Sequence, residues 1–234
     1  MDEGLELTLA PGRHLGPQCT SVSLGPLPPW DVERRRVDVS GLIAWARDTL
    51  RAAGIDDELD RLHEHIDGKR AAELAHHLTV ASRCRSHRDA LFEVLRAAIP
   101  ALVWSEVVVQ STSHFRILIP GDTRSPVPPH TDHGIGHPLD ERNVWIALTD
   151  ARGSAALRVQ PGFRPPADAW GLADDDDALV PYETSAGEVL LFTPLHVHAA
   201  RAPETQTRVS IDVRIAPHTA VLRHPTGYVA VEAR

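Results

Sequence analysis

The front third of the chain carries apolar residues at helical spacing. Between positions 39 and 53 they recur every three or four residues, with Ser40 as the candidate N-cap. A longer stretch from Lys69 to Ala98 has the same period, with an expected break near Ser86. The pattern therefore predicts two helical regions. Residues 1–38 contain scattered glycine and proline without helical period, which predicts an extended N-terminal segment.

After position 100 the pattern changes to short alternating or β-branched runs. These runs occupy residues 103–110, 114–119, 143–148, 156–160, 188–192, 196–200 and 209–215. A period of two indicates strands with one buried face. Many short strands behind a helical preface predict an α+β protein, in which a double-stranded β-helix, or jelly roll, carries the N-terminal helices on one sheet.

The length of 234 residues fits one domain. Residues 1–100 would be a mainly helical preface and residues 101–234 the β-helix core. Between the strands, Pro165 and Pro166 precede an acidic run, Asp174 to Asp177, that predicts an exposed loop. Whether this loop is simply solvated or forms a lid that attracts a positively charged substrate stays open.

Composition narrows the expected partners. The net charge of −8 disfavours nucleic acid, and no run of about 18 apolar residues is present to cross a membrane. The N-terminus does not resemble a secretory signal. We therefore expect a cytoplasmic protein that binds a small polar or cationic molecule. Cys19 and Cys84 are too few for a disulfide framework or a cysteine-based zinc site.

Histidine is abundant, at 14 residues. Six histidines of the front half are expected at the surface: His14, His63, His65, His76, His77 and His87. Further along, His130 and Asp132 would face the same side of a strand and reach one cation. Two imidazoles and one carboxylate form the facial triad that holds non-haem Fe(II) and leaves room for a cosubstrate and O2. His196 or His198 would supply the third ligand, and the position of Arg208, ten residues beyond His198, favours His198.

Arg208 begins an alternating strand in which Ser210 and Asp212 share its face. A guanidinium that points into a barrel needs an anionic partner, because an unpaired buried charge is costly. Its planar fork matches a carboxylate, and Ser210 could donate one more hydrogen bond. An internal ion pair with Asp212 or Glu188 is the alternative.

Two stretches that follow His130-Thr131-Asp132, the HxD motif, carry a family resemblance. Asn143 to Asp150 reads NVWIALTD, and Ala156 to Gly162 reads ALRVQPG. The run from Gly187 to Phe192, followed by His198 and Arg208, continues the pattern. Together these residues resemble the phytanoyl-CoA-hydroxylase-like branch of the Fe(II)/2-oxoglutarate-dependent oxygenases, which implies the double-stranded β-helix fold.

The resemblance also implies the roles of individual residues. Fe(II) would bind His130, Asp132 and His198, with O2 as the oxidant, and the cosubstrate 2-oxoglutarate would pair with Arg208. Trp145 matches a position that lines the cosubstrate pocket in relatives, although a core aromatic is the alternative. Because the carboxylate of Asp132 fills the third protein position, oxygenation or a desaturating or ring-forming oxidation is expected rather than halogenation.

The substrate is less constrained. His133 and His196 are candidate substrate contacts, and residues 140–142 either border the substrate mouth or form a solvated turn. Phe163 and Ala200 depart from the family pattern, which leaves the fine contacts open.

The expected function is that of a dioxygenase acting on a small polar natural product or metabolite, such as an aminoglycoside, aminocyclitol or amino acid, in antibiotic biosynthesis. The alternatives are a cupin-like metal enzyme that does not use 2-oxoglutarate, with both His196 and His198 as ligands, and a non-catalytic ligand-binding barrel.

Overall fold

The computed structural model describes residues 32–99, 107–123, 127–162, 179–217 and 227–230. Its front part contains three α-helices, α1 (Ser40–Ala52), α2 (Gly68–Ala81) and α3 (Arg85–Ala98), and a 3-10 turn at Leu59–Glu64. The predicted proline-rich and acidic loop, Phe163 and most of the N-terminal segment lie outside the described residues. Within the described ranges no helix has the length and apolar character needed to cross a membrane.

The helix boundaries follow the apolar period closely. The first predicted helix is confirmed, but its N-cap residue is Val39, and the Asp38 carboxylate one residue earlier accepts the Ser40 backbone N–H at 2.8 Å. The predicted N-cap role of Ser40 is therefore wrong. The long second stretch is two helices separated at residues 82–84, and Asp67 caps the first of them by accepting the Arg70 backbone N–H at 2.8 Å.

Eleven strands are present in the described part of the chain. They are β1 (Glu33–Arg36), β2 (Val107–Gln110), β3 (His114–Leu118), β4 (Val127–His130), β5 (Arg142–Ala147), β6 (Leu157–Val159), β7 (Val180–Tyr182), β8 (Glu188–Phe192), β9 (His198–Ala200), β10 (Arg208–Pro217) and β11 (Tyr228–Ala230). The larger sheet has the order β1-β8-β5-β10-β2-β11, with β3 also paired to β10, and the smaller sheet has the order β4-β9-β6-β7. The predicted α+β fold with a jelly-roll core is confirmed.

Four of the eleven strands lie outside the predicted runs; the strand expected at His130 anticipates β4, and the other three are missing from the sequence prediction. Residues 33–36, assigned above to an extended segment, read ERRR and pair with β8 as the edge strand β1. Strands β7 and β11 have only three residues each, and β7 contains a proline. Such short or charged edge strands carry no apolar alternation, because little of their surface is buried.

The two faces of the larger sheet pack against different parts of the protein. On the outer face, β5 and β10 pack against the helices in one hydrophobic core. The strands contribute Val144, Ile146, Val209, Ile211 and Val213, and the helices contribute Leu42, Leu74 and Leu95. On the inner face, Trp145, Ala147 and Phe192 pack against Leu157 and Val159 of the smaller sheet. Because strand residues alternate between faces, the polar residues of β10 also point into the space between the sheets.

One histidine expected at the surface is buried. His87 is only 1% exposed, and its ring centroid lies 4.5 Å from that of Trp45 and 5.7 Å from that of Phe115. It shares the inward face of α3 with Leu91 and Val94. Burial lowers the pKa of His87 to about 4, so the imidazole is neutral near pH 7.

Candidate metal centre

His130, Asp132 and His198 meet in the cavity between the two sheets. His130 ends β4, His198 begins β9, and the two are direct cross-strand partners. The Oδ1 atom of Asp132 lies 3.7 Å from Nε2 of His130 and 3.9 Å from Nε2 of His198. One ion at a ligand distance of about 2.1 Å can touch both atoms of a pair up to about 4.2 Å apart. Both Asp132–histidine distances lie within this limit, and the ligand atoms of all three residues lie within 4.8 Å of one another, a grouping that could hold one metal ion.

Asp132 reaches this position from a turn. Strand β4 ends at His130, and Asp132 has helical dihedral angles, φ −64° and ψ −32°, before a 3-10 turn at His133–Ile135. The backbone N–H groups of Ile135 and His137 both donate to the Asp132 carbonyl, at 3.2 and 3.0 Å. The prediction that His130 and Asp132 alternate along one strand is wrong, and the turn brings the two side chains together instead.

Backbone carbonyl groups orient both imidazoles. Nδ1 of His130 lies 2.9 Å from the Pro128 carbonyl oxygen, and Nδ1 of His198 lies 3.1 Å from that of His196. A neutral imidazole that donates from Nδ1 carries its lone pair on Nε2, the atom that faces Asp132 in each ring. Both rings are thus oriented as metal ligands.

The electrostatics keep Asp132 ionised. Burial alone would raise the pKa of its carboxyl group, but the imidazoles of His198 and His130 and the guanidinium of Arg214 hold that pKa well below the usual range. For His198, burial lowers the pKa and favours the neutral ring. A deprotonated carboxylate and a neutral imidazole are the forms that bind a metal ion.

Arg208 borders the same cavity and is completely buried. Its Nη1 donates to the Ala155 carbonyl at 3.2 Å, whereas Nε and Nη2 have no hydrogen-bond partner within the described ranges. The guanidinium carbon lies 5.7 Å from the Trp145 ring centroid. Burial lowers the pKa of Arg208 to about 10, so the group is still charged at pH 7. A charged group with unused donors fits a carboxylate ligand.

The internal ion pairs suggested as alternatives for Arg208 are made by other arginines. Asp212 pairs with Arg116 at 2.8 Å, and Glu188 lies 3.9 Å from Arg34. Asp212 acts on Arg208 only through its field, which opposes the effect of burial on the Arg208 pKa. The buried guanidinium therefore keeps donors for a ligand.

Further polar atoms on the inner face are buried and unmatched. The Ser210 hydroxyl and the Trp145 indole Nε1 have no hydrogen-bond partner among the residues that are described, and neither do the two amide atoms of Asn143. Asn143 and Trp145 line the cavity. Asn143 is not among the predicted site residues, although its alternation with Trp145 along β5 is sufficient to place it on the inner face.

His133 and His196 do not belong to the described cavity wall. His196 is fully buried, and its Nδ1 lies 3.2 Å from the Thr193 backbone nitrogen and 2.9 Å from Thr193 Oγ1. Nδ1 of His133 lies 3.1 Å from the His137 carbonyl oxygen. The geometry does not support the predicted substrate contacts of these two histidines, and His196 is not part of the three-residue cluster.

Comparison with known proteins identifies the family. The family model for phytanoyl-CoA dioxygenase (PhyH) matches residues 35–209, which are 175 of the 234 residues. The chain belongs to the phytanoyl-CoA dioxygenase family. The predicted resemblance is therefore confirmed. No curated protein sequence matches this member of the family.

Solved structures share the fold at low sequence identity. The epimerase SnoN, in complex with Fe3+, alpha ketoglutarate and nogalamycin RO, is 15% identical, with 85% of this chain and 83% of that chain covered and a TM-score of 0.55. The non-haem monooxygenase ThoJ in its nickel complex is 18% identical, with 78% and 71% covered and a TM-score of 0.51. EvdMO1 is 26% identical over 56% of this chain, with a TM-score of 0.44, and the match spans only 32% of EvdMO1.

Proposed function

We propose that this member of the phytanoyl-CoA dioxygenase family is a non-haem Fe(II) oxygenase that uses 2-oxoglutarate and O2 to oxidise a small polar molecule. The observation that carries the proposal is the convergence of His130, Asp132 and His198 in the same cavity as the unmatched donors of Arg208. The Fe3+ and alpha ketoglutarate bound by SnoN support it. When bound, iron and its cosubstrate supply the oxidising chemistry for a C–H bond.

The donor set fits ferrous iron. Two nitrogens and one carboxylate oxygen are the ligands of the facial triad, which leaves other coordination positions for the cosubstrate and O2. His130 and His198 present Nε2 because their Nδ1 atoms face backbone carbonyls. Asp132 adds one negative charge, which partly neutralises a dipositive ion. These three residues would hold the iron.

Arg208, Ser210 and Trp145 would hold the cosubstrate. The Arg208 donors Nε and Nη2 would bind a terminal carboxylate of 2-oxoglutarate, and the Ser210 hydroxyl would add a neutral hydrogen bond. The Trp145 ring, whose centroid lies 5.7 Å from the guanidinium carbon, would form an apolar wall beside the bound carboxylate. A bound carboxylate would offset the free-energy cost of burying the Arg208 charge. The region therefore favours the binding of a dianion.

The proposal also covers the type of oxidation and the class of substrate. ThoJ is described as a monooxygenase and SnoN as an epimerase, so one fold supports more than one reaction. We propose hydroxylation or oxidative ring formation, in the cytoplasm, on a natural product or metabolite such as an aminoglycoside, aminocyclitol or amino acid. Arg116, Asp212 and Asn143 on the cavity wall offer hydrogen-bond donors and acceptors to a polar molecule.

A turnover screen tests this proposal. The protein is loaded with Fe(II) without oxygen, mixed with 2-oxoglutarate and a panel of cationic and neutral polar metabolites, and exposed to O2 while succinate is measured. We expect one class of metabolite to stimulate succinate release, and we expect His198→Ala to abolish it. His77→Ala, an exposed position on α2, is the matched control. Iron binding without any succinate would contradict the use of 2-oxoglutarate and favour a cupin-like enzyme.

A further inference from the structure

A fully buried carboxylate, Glu141, has no role in the proposed oxidation. It lies just before β5 with 0% exposure, although the sequence allows a solvated turn at residues 140–142. Glu141 accepts a hydrogen bond from the Tyr228 hydroxyl, and its Oε2 lies 2.9 Å from Nδ1 of His137. Burial and the bond to Glu141 raise the pKa of Tyr228, so this hydroxyl keeps its proton. A buried carboxylate held from two sides must have a cation nearby to offset its charge.

Arg214 of β10 supplies a permanent positive charge near this carboxylate. Its Nη2 lies 3.1 Å from Asp132 Oδ2, whereas its Nε lies 3.8 Å from Glu141 Oε2, an ion-pair distance without a hydrogen bond. The Arg214 side chain is only 12% exposed. One guanidinium thus lies between the buried carboxylate and the carboxylate of the candidate metal site.

The contacts between these residues form a closed loop that begins and ends at Asp132. The His137 backbone N–H donates to the Asp132 carbonyl at 3.0 Å, and the His137 ring lies beside Glu141. Glu141 then faces Arg214, which returns to Asp132. The backbone and the side chain of Asp132 are therefore both held by the same group of residues.

This arrangement makes the two oxygens of Asp132 unequal. Oδ1 faces the Nε2 atoms of His130 and His198, whereas Oδ2 faces Arg214. We propose that Glu141 and Arg214 are positioning residues that hold Asp132 so that only Oδ1 is presented to the metal. The inference rests on the proposed function, because it assumes that the cluster binds a metal ion. Binding through one oxygen leaves a coordination position available to the cosubstrate.

Positioning and simple charge effects predict opposite results. Arg214 alone would repel a metal dication, so its replacement by an uncharged residue would strengthen metal binding if charge dominated. If orientation dominates, the same replacement weakens binding, because the Asp132 carboxylate becomes free to rotate. Arg214→Lys separates the effects further, since it keeps the charge but loses the planar fork that contacts two carboxylates.

The experiment compares Co(II) and anaerobic Fe(II) affinity by calorimetry in the wild type, Arg214→Met, Arg214→Lys and Glu141→Gln. We expect affinity to fall about 10- to 100-fold in both Arg214 variants, the usual effect of losing a residue that orients a ligand. Arg85→Met, at an exposed position of α3, should bind as the wild type does. The visible spectrum of bound Co(II) should also change in Arg214→Met, because a freed carboxylate can bind through both oxygens.

Unchanged or tighter Co(II) binding by Arg214→Met would overturn the inference. Circular dichroism establishes that each variant is folded. If Arg214→Met does not fold, Arg214→Lys and Glu141→Gln decide, and unchanged affinity in both overturns the inference. Failure of the wild type to bind either metal would instead refute the proposed function. Metal binding by the wild type with unaffected variants refutes only the positioning role.

Discussion

Replacement of Arg208 by methionine should stabilise the protein without ligand and remove its response to 2-oxoglutarate. Arg208 is completely buried and makes one hydrogen bond, to Ala155, in the described part of the structure. Methionine is shorter than arginine but only slightly smaller in volume and carries no charge, so it occupies much of the space next to Trp145 without requiring a partner. The variant therefore separates the cost of the buried charge from its use in ligand binding.

The magnitude follows from the burial of the guanidinium. The reduction of the Arg208 pKa to about 10 corresponds to about 3 kcal/mol against the charged form. Methionine loses the hydrogen bond to Ala155 and the cation–π contact with Trp145, each about 1 kcal/mol. The net gain is about 1 kcal/mol, which corresponds to a rise of about 2–4 °C in Tm for a chain of this size.

Thermal unfolding of the metal-loaded protein under anaerobic conditions measures both the stability without ligand and the change in stability on addition of 2-oxoglutarate. At about 100 times its Kd, 2-oxoglutarate should stabilise the wild type by about 2.7 kcal/mol and should not stabilise Arg208→Met. Arg116→Met is the matched control, because Arg116 lines the same cavity but is paired with Asp212. A destabilised Arg208→Met variant that still responds to 2-oxoglutarate would refute the assignment of Arg208 as the carboxylate anchor.

Two further predictions concern stability. The pKa of His87 is about 4 in the folded protein, below the value of about 6.5 expected after unfolding, so the unfolded chain binds the proton more tightly and stability is lost as the pH falls from about 6.5 towards 4. The free energy of unfolding in urea should fall between about pH 7 and pH 5 by about 2 kcal/mol less in His87→Phe than in the wild type. An unchanged pH dependence would argue against a neutral buried ring. Gly68→Ala should lower the free energy of unfolding by about 1–3 kcal/mol, because the added methyl group meets the buried Asp122 carboxylate. Gly41→Ala, whose methyl group would make an ordinary 3.6 Å contact with Ala90, should be neutral or stabilising, and equal effects of the two substitutions would contradict the steric argument.

The apolar pattern predicts the helices and central strands well because their periods reflect burial on one side. Strand β10 shows this most clearly: Val209, Ile211 and Val213 face the helices, as the alternation predicts. Edge strand β1 is not predictable in this way, since its four residues carry charge and gain their pairing from β8. His87 was also misplaced, because a histidine does not by itself indicate which face of a helix is buried.

The order of residues alone is enough to give the residue types of the candidate site and the face of β10 on which Arg208 lies. The way in which Asp132 reaches the two histidines depends on the three-dimensional fold, since the chain leaves the strand at His130 and a turn changes the direction of the next side chains. The fold also decides the partners of Arg214 and Glu141. Strand periodicity describes contacts between near neighbours in the chain, whereas the separation of two charges distant in sequence depends on the packing of several strands at once.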